Sequence, residues 1–396
     1  MTSLFPAPGQ TGAIQTEARA ALETAIETTR RNIEKFGSAY PDDTTADGLY
    51  PLRPALRDIP EGGNRGWTTS FVPGMQWIAW EATGDDAFKD AALRHARDFE
   101  RRVKVGQDLD THDLGFLYSL SCVTAWRLTG DEDARQAALA AADHLMTRFL
   151  EPAGIVQAWG DLSDPNQAGR TIIDSLMNMP LLTWASEQTG DELYAEAVQR
   201  HTLELRDQML RPDDSTFHTF YWDVETGEPL RGGTEQGAHD DSCWARGQAW
   251  GIYGFALNFR ATGDKRFLDA SRRCAAYFLA HLPADDVAYW DLVYTDGSDA
   301  PRDSSAAAIA VSGLRELAIA EDDPEAAARA TEAADRILTS LIEKYTPADD
   351  ESDALILHGV YNLPGDHGID EGNLWGDYFY MEALMRTVNP EWRLYW

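Results

Sequence analysis

TGDDAFKDAALRHARDF, beginning at Thr83, shares its first three residues with TGDEDARQAALAAADHL at Thr129, TGDELYAEAVQRHTLEL at Thr189 and TGDKRFLDASRRCAAYFL at Thr262. In each, the Gly suits the left-handed residue that ends one helix. The Asp caps the next helix, where its charge also favours the exposed amides. EDDPEAAARATEAADRIL from Glu321 repeats the pattern, with Pro324 early in its helix, where a missing N–H does no harm. A more aromatic helix precedes each turn, around Met75–Trp80, Leu114–Trp126, Leu176–Trp184, Trp244–Phe259 and Ala306–Leu317. An opening helix over about Thr16–Phe36 and a closing one over Gly372–Met385 bring the expected total to twelve helices in six pairs.

An open array of such hairpins would need polar repeats at its ends, but the closing stretch NLWGDYFYMEALM from Asn373 is among the most apolar in the chain. The expected fold is therefore all-α, an (α/α)6 barrel. Its aromatic helices form an inner ring and its Ala-, Arg- and Glu-rich helices an outer one. All inner helices then start at one mouth and bring Trp67, Thr68, Asp113, Asp174, the stretch 240–246, Asp303 and Asp370 to a common rim. At 396 residues and 43% apolar, with no low-complexity linker, the chain reads as one catalytic domain over 1–396, with 1–14 a loose N-terminal extension. The segments 37–66, 154–170, 211–241 and 282–303 are too long for simple turns and are expected to gather over the mouth.

A net charge of -32 and a pI near 4.5 argue against nucleic acid and anionic membrane as partners. An anionic substrate would be repelled at long range, leaving a few Arg or His at the site to decide its binding. The N-terminus has neither a basic start nor an apolar core, and no stretch is long enough to span a membrane. Cys122, Cys243 and Cys274 read as reduced core residues. These features place the protein in the cytoplasm, or in the periplasm if a leader has been removed, as a monomer or weak homodimer.

Two phrases carry the chemistry. THDLGF (111–116) and, some sixty residues later, IIDSLMN (172–178) each put an Asp where an aromatic-rich helix begins. Asp113 and Asp174 read either as two helix caps or as two carboxylates sharing a sugar-sized cleft. A third stretch, HTFYWDVETGEPLRGGTEQGAHDDSCWARGQAW (218–250), holds Ser242 as a candidate cap and Arg246 with Trp250 at i,i+4 on one helix face. Arg246 reads as a fork for a uronate carboxylate, or as a brace tied to Asp240 or Asp241. Trp67, Trp159, Trp244 and Trp250 offer flat faces to sugar rings. No cofactor motif is found. His112 with Asp113, His239 with Asp240 and Asp241, and His358 with His367 lack zincin or zinc-finger spacing, so no metal site is expected.

HDLGF, DSLMN, HTFYW, RGGTEQGAHDDSCWARGQAW and DEGNLWGDYFYMEAL together resemble the unsaturated glucuronyl hydrolases of glycoside hydrolase family 88, over about Trp67 to Leu384. The resemblance implies an (α/α)6 barrel, no metal, and removal of the 4,5-unsaturated uronate that polysaccharide lyases leave at the non-reducing end. By motif it makes Asp174 the general acid/base and Asp113 its partner, with Trp67, His218, Gln236, Arg246 and Trp250 lining the uronate pocket. In that family, users of sulfated substrates carry hydroxyl and Lys residues in the loop before the last inner helix. Here the loop HGVYNLPGDHGIDEG (358–372) has neither Lys nor Ser, so sulfate recognition through it is not expected. An unsaturated rhamnogalacturonyl hydrolase acting on pectin fragments, a toroid enzyme for saturated sugars and a non-catalytic carbohydrate-binding toroid are the competing readings.

Overall fold

The structure, a computed structural model, describes residues 13–164, 167–348 and 351–396. Residues 1–12 of the expected extension lie outside these, and its last two residues already belong to the first helix. Helix α1 (Ala13–Phe36) is followed by α2 (Phe71–Thr83) and α3 (Asp86–Lys104). The next inner rod consists of α4 (Leu114–Tyr118), a π-helical turn (Ser119–Val123) and α5 (Thr124–Thr129); the chain returns along α6 (Glu132–Met146). A 3-10 segment (Ile173–Asn178) leads into α7 (Met179–Thr189) and then α8 (Glu192–Gln208). Helix α9 (Ala245–Thr262) pairs with α10 (Lys265–Ala280), α11 (Ser304–Ala320) pairs with α12 (Pro324–Lys344), and α13 (Leu374–Val388) comes last.

The capping chemistry read from the sequence builds these joints. Gly84, Gly130, Gly190 and Gly263 end their helices at φ 70–76°, a backbone region that favours glycine. Asp85, Asp131, Asp191, Asp264 and Asp323 each accept a backbone N–H at the start of the following helix. α3, α10 and α12 bury one face and expose the other, as an outer ring requires. Every residue of α13 is buried, and nearly all of α9 and α11. Helix α13 packs against α11 on one side and against α1 and α2 on the other, which closes the ring. At the end away from the inner-helix starts, the Trp396 ring stacks on Phe379 (5.9 Å, 9°), and its indole N–H donates to Glu382 (2.8 Å), plugging the barrel axis.

The all-α architecture carries short strands in its inter-helix loops. β1 (Phe149–Leu150) and β2 (Ile155–Val156) form a hairpin. β3 (Arg170–Ile172), β4 (Thr219–Trp222) and β5 (Pro229–Gly233) form an antiparallel sheet that joins two of the long segments expected over the mouth. β6 (Gly359–Asn362) and β7 (His367–Glu371) form a second hairpin, so the 358–372 loop is itself ordered strand pairing. The 37–66 segment is tied to the start of α13, with Thr45 N–H donating to Gly372 O (3.0 Å). Among the described residues no helix is long and apolar enough to cross a membrane.

Candidate active site

Two backbones in direct contact bring Asp113 and Asp174 together. A Cβ on Gly115 would lie 2.2 Å from Asn178 Cα, so only glycine lets the start of α4 approach the 3-10 segment this closely. Asn178 Oδ1 then accepts the Phe116 N–H (2.8 Å) and locks the approach. Neither aspartate caps its helix: Asp113 stands at the N-cap of α4 and Asp174 in the first turn of the 3-10 segment, each without a side-chain cap bond. Asp113 Oδ2 instead accepts the Thr111 hydroxyl (2.6 Å), and Asp174 Oδ1 is buried with no hydrogen-bond partner. The cap reading thus holds for the aspartates of the outer-helix turns and fails for these two.

His112 stands between them, its Nε2 3.3 Å from Asp113 Oδ1 and 3.6 Å from Asp174 Oδ1. The three groups split their charges unequally. Burial works to raise the Asp113 pKa, but the His112 charge, the His112 hydrogen bond and the Thr111 hydroxyl outweigh it and hold that carboxyl below the usual range. Burial is the main cause raising Asp174 to about 7; His112 opposes it and the Asp113 charge adds to it. Burial depresses His112, yet the two carboxylates lift its pKa above the ordinary imidazole value. At neutral pH the arrangement therefore holds one ionised carboxyl beside one that keeps its proton readily. One ligand atom from each of the three residues falls within a 4.8 Å cluster, and these are also the donor types a divalent cation takes. The sequence expectation of no metal site rested on spacing along the chain, and the fold adds Asp174 to the adjacent His–Asp pair.

The stretch from 218 to 250 supplies the facing wall. Ile173 N–H donates to His218 O (3.1 Å), which fixes His218 beside the 3-10 segment. His218 Nδ1 accepts the Glu235 N–H (3.0 Å), so the ring proton sits on Nε2, a buried donor without a protein acceptor. Burial, and then Arg246, depress His218 to about 3, keeping it neutral. Trp244 meets the His218 ring edge-on at 4.8 Å. The half-buried Trp159 lies next to the turn that holds Asp113, through a bridge between its backbone and Thr111. Trp67 donates its indole N–H to the Tyr361 hydroxyl (3.0 Å) and packs on Phe116 and Trp375.

Four expectations are corrected. Arg246 is tied to Asp303 (Nη1–Oδ2 2.8 Å), not to Asp240 or Asp241; it also donates to Val360 O, and its Nη2 reaches Gln236 Oε1 and Tyr361 O, both at 2.8 Å. Both terminal nitrogens are committed to the protein, which leaves no fork for a carboxylate. Trp250 is 1% exposed and packs between Phe116 and Phe379, so it belongs to the barrel core beneath the site. Ser242 does not cap α9: its hydroxyl donates to Asp291 (2.6 Å), and the helix starts after Trp244. Asp370, expected on the rim, is exposed and paired with His358 (2.7 Å).

Residues 54–388 match Glycosyl Hydrolase Family 88. The chain belongs to glycosyl hydrolase family 88. It is 44% identical over 369 residues to the "Unsaturated glucuronyl hydrolase" of Bacillus sp. (strain GL1), covering 92% of this chain and 95% of that one. It is 43% identical to the "Unsaturated chondroitin disaccharide hydrolase" of Streptococcus pneumoniae (strain ATCC BAA-255 / R6), covering 96% and 94%. The crystal structure of an unsaturated glucuronyl hydrolase from a Streptococcus agalactiae source superposes with a TM-score of 0.92 at 42% identity, covering 98% of this chain and 95% of that one. Within this family 88 chain, sequence reasoning overlooked His112 as the group between the carboxylates, although its place beside Asp113 in THD was the available signal. It also overlooked Tyr361 and Trp375, which only the closure of the ring brings to Trp67.

Proposed function

We propose that this family 88 hydrolase removes a 4,5-unsaturated uronic acid from the non-reducing end of oligosaccharides released by polysaccharide lyases, with Asp174 as general acid and base. The observation that carries the proposal is the Asp174 carboxyl, buried, raised to about 7 and with an oxygen that accepts no hydrogen bond, beside an Asp113 held ionised. The substrate's C4=C5 bond is a vinyl ether. Protonation at C4 by Asp174 leaves an oxocarbenium-like cation at C5, and the Asp113 charge steadies it. Water then adds at C5, with Asp174 taking its proton; the resulting hemiketal opens and expels the remaining saccharide. The neutral His218 offers its Nε2–H to a substrate oxygen, and Trp159 and Trp67 provide aromatic faces at the rim.

The two relatives' names, an unsaturated glucuronyl hydrolase and an unsaturated chondroitin disaccharide hydrolase, both agree with action on an unsaturated saccharide. The closing of α13 against α1, α2 and α11 supports treating 1–396 as one catalytic domain. Three free, buried cysteines are in keeping with a cytoplasmic site of action.

The test follows ultraviolet absorbance of lyase-generated disaccharides in D₂O, with and without a chelator. Absorbance is expected to fall with deuterium appearing at C4 of the product, unaffected by the chelator. Retained absorbance sinks the proposal, deuterium missing from C4 sinks the hydration route, and activity abolished by the chelator places a cation among His112, Asp113 and Asp174.

A further inference from the structure

The sheet beside the mouth has one face whose chemistry the reaction leaves unused. In its register Arg170 pairs with Tyr221, and Tyr221 with Arg231, so the three side chains form a row across β3, β4 and β5 on one face. The other face, with Thr171, Phe220 and Trp222, is buried against the barrel. Trp159 extends the row, since the Arg170 guanidinium lies 4.3 Å over its ring, and the Arg231 guanidinium lies 4.0 Å over Tyr221. Stacking of this kind fixes a guanidinium by its face and leaves its N–H edge directed outward.

In a chain of net charge -32, the row carries two cations that no acidic side chain neutralises by direct pairing. Neither Arg170 nor Arg231 has a carboxylate ion-paired within 4 Å among the described residues, as is also true of Arg57, Arg65 and Arg148; these two are stacked on the aromatic rings of the row. Among the described residues the Arg170 guanidinium makes one long bond, to Trp159 O (3.4 Å). Two anions border the row: Glu235, 3.3 Å from the Tyr221 hydroxyl, and Asp240, which shares the Gly233 corner with the Arg231 guanidinium. The row also has a direction. Trp159 bridges to Thr111, whose hydroxyl holds Asp113, so one end starts at the reacting carboxylates; the other, at Arg231, is exposed. Two strand spacings separate Arg170 from Arg231, about 10 Å.

We propose that Trp159, Arg170, Tyr221 and Arg231 form a strip that binds the anionic sugars following the unsaturated ring, stacking on them and gripping carboxylate or sulfate oxygens with the free guanidinium edges. This rests on the proposed hydrolysis of unsaturated oligosaccharides and deepens it. It puts selection of the longer, charged chain on this sheet and not on the 358–372 hairpin, which lacks Lys and Ser. It also supplies local attraction that the overall negative charge would otherwise deny an anionic substrate.

The test compares the wild type with an Arg170→Gln/Arg231→Gln double variant. Binding is measured by calorimetry on two saturated tetrasaccharides, one bearing carboxylates only and one sulfated. Turnover is measured as the ratio of kcat/KM on an unsaturated anionic tetrasaccharide to that on an unsaturated disaccharide. The expected results are at least tenfold weaker binding by the double variant, a kcat/KM ratio that falls towards one, and a binding loss that shrinks at high salt. Carboxylate-only binding lost alone assigns the strip to uronates; sulfate binding lost alone assigns it to sulfate esters. Equal binding by the two proteins, or none by the wild type, overturns the strip. Wild-type binding without turnover of either unsaturated substrate keeps the strip and removes the hydrolase reading.

Discussion

Arg246 and Asp174 are both buried and lie within electrostatic reach of each other, and they differ in how much of their hydrogen-bonding capacity the protein has used. Arg246 has both terminal nitrogens engaged by four acceptors from α11, β6 and the 234–242 turn. Asp174 has an oxygen that accepts no hydrogen bond, with the His112 Nε2 3.6 Å away. A buried group whose bonds are all made holds the structure together; one kept buried with a bond unmade costs stability and is retained for what it does. Both residues sit in motifs that look functional in the sequence. Only the count of partners distinguishes the clamp from the reactive group.

The largest effect should come from the unsatisfied side. Asp174→Asn keeps the shape and cannot donate the proton, so kcat should fall by roughly 10²- to 10⁴-fold while the fold persists. A variant with more than half the wild-type kcat would erase the distinction drawn between the two residues.

The clamp is tested by stability. Arg246→Lys retains the charge but cannot serve four acceptors at once, and should lower unfolding stability by roughly 2–4 kcal/mol. If urea midpoints match the wild type while KM rises tenfold or more, the guanidinium belongs to the substrate instead.

The smallest effect sharpens the contrast through pH. Because Asp174 must carry a proton, kcat/KM should decline as pH rises through about 7, and His112→Gln should move that limb upward by removing the group that lowers Asp174. The same raised carboxyl binds a proton more tightly folded than unfolded. Its stabilising contribution is therefore full below the unfolded value of 3.8 and lost as pH rises through about 7. Asp174→Asn should thus raise Tm at pH 8 relative to the wild type, by roughly 1–3 °C, with the gain shrinking as pH falls. A Tm difference that is independent of pH would mean Asp174 is not held against its charge.

How much of this was legible in the sequence follows from the range of each interaction. The TGD turns were readable because an αL glycine and an Asp cap act within a few residues, and the ring followed from repeating them. The Asp113–Asp174 pair was readable as a pair because the two helix starts share one barrel end. Arg246 was misread because Asp303, Val360 and Tyr361 reach it only through closure of the ring, far along the chain. Trp250 was misread because helical spacing puts a residue on a face without saying how deep that face lies. His112 adjoins Asp113 in sequence, but its second carboxylate arrives from another helix.

The contact of Gly115 with Asn178 has a bearing on how such an enzyme can change. The gap between the two aspartates is inherited from backbone meeting backbone, so no choice of side chain in the surrounding loops can widen or narrow it. The strands and turns around the mouth can lengthen, recharge or lose a residue while this backbone contact keeps its place. Descent with altered diet and unaltered chemistry is the history this construction permits: the loops drift toward new polysaccharides, and the proton still travels the same path.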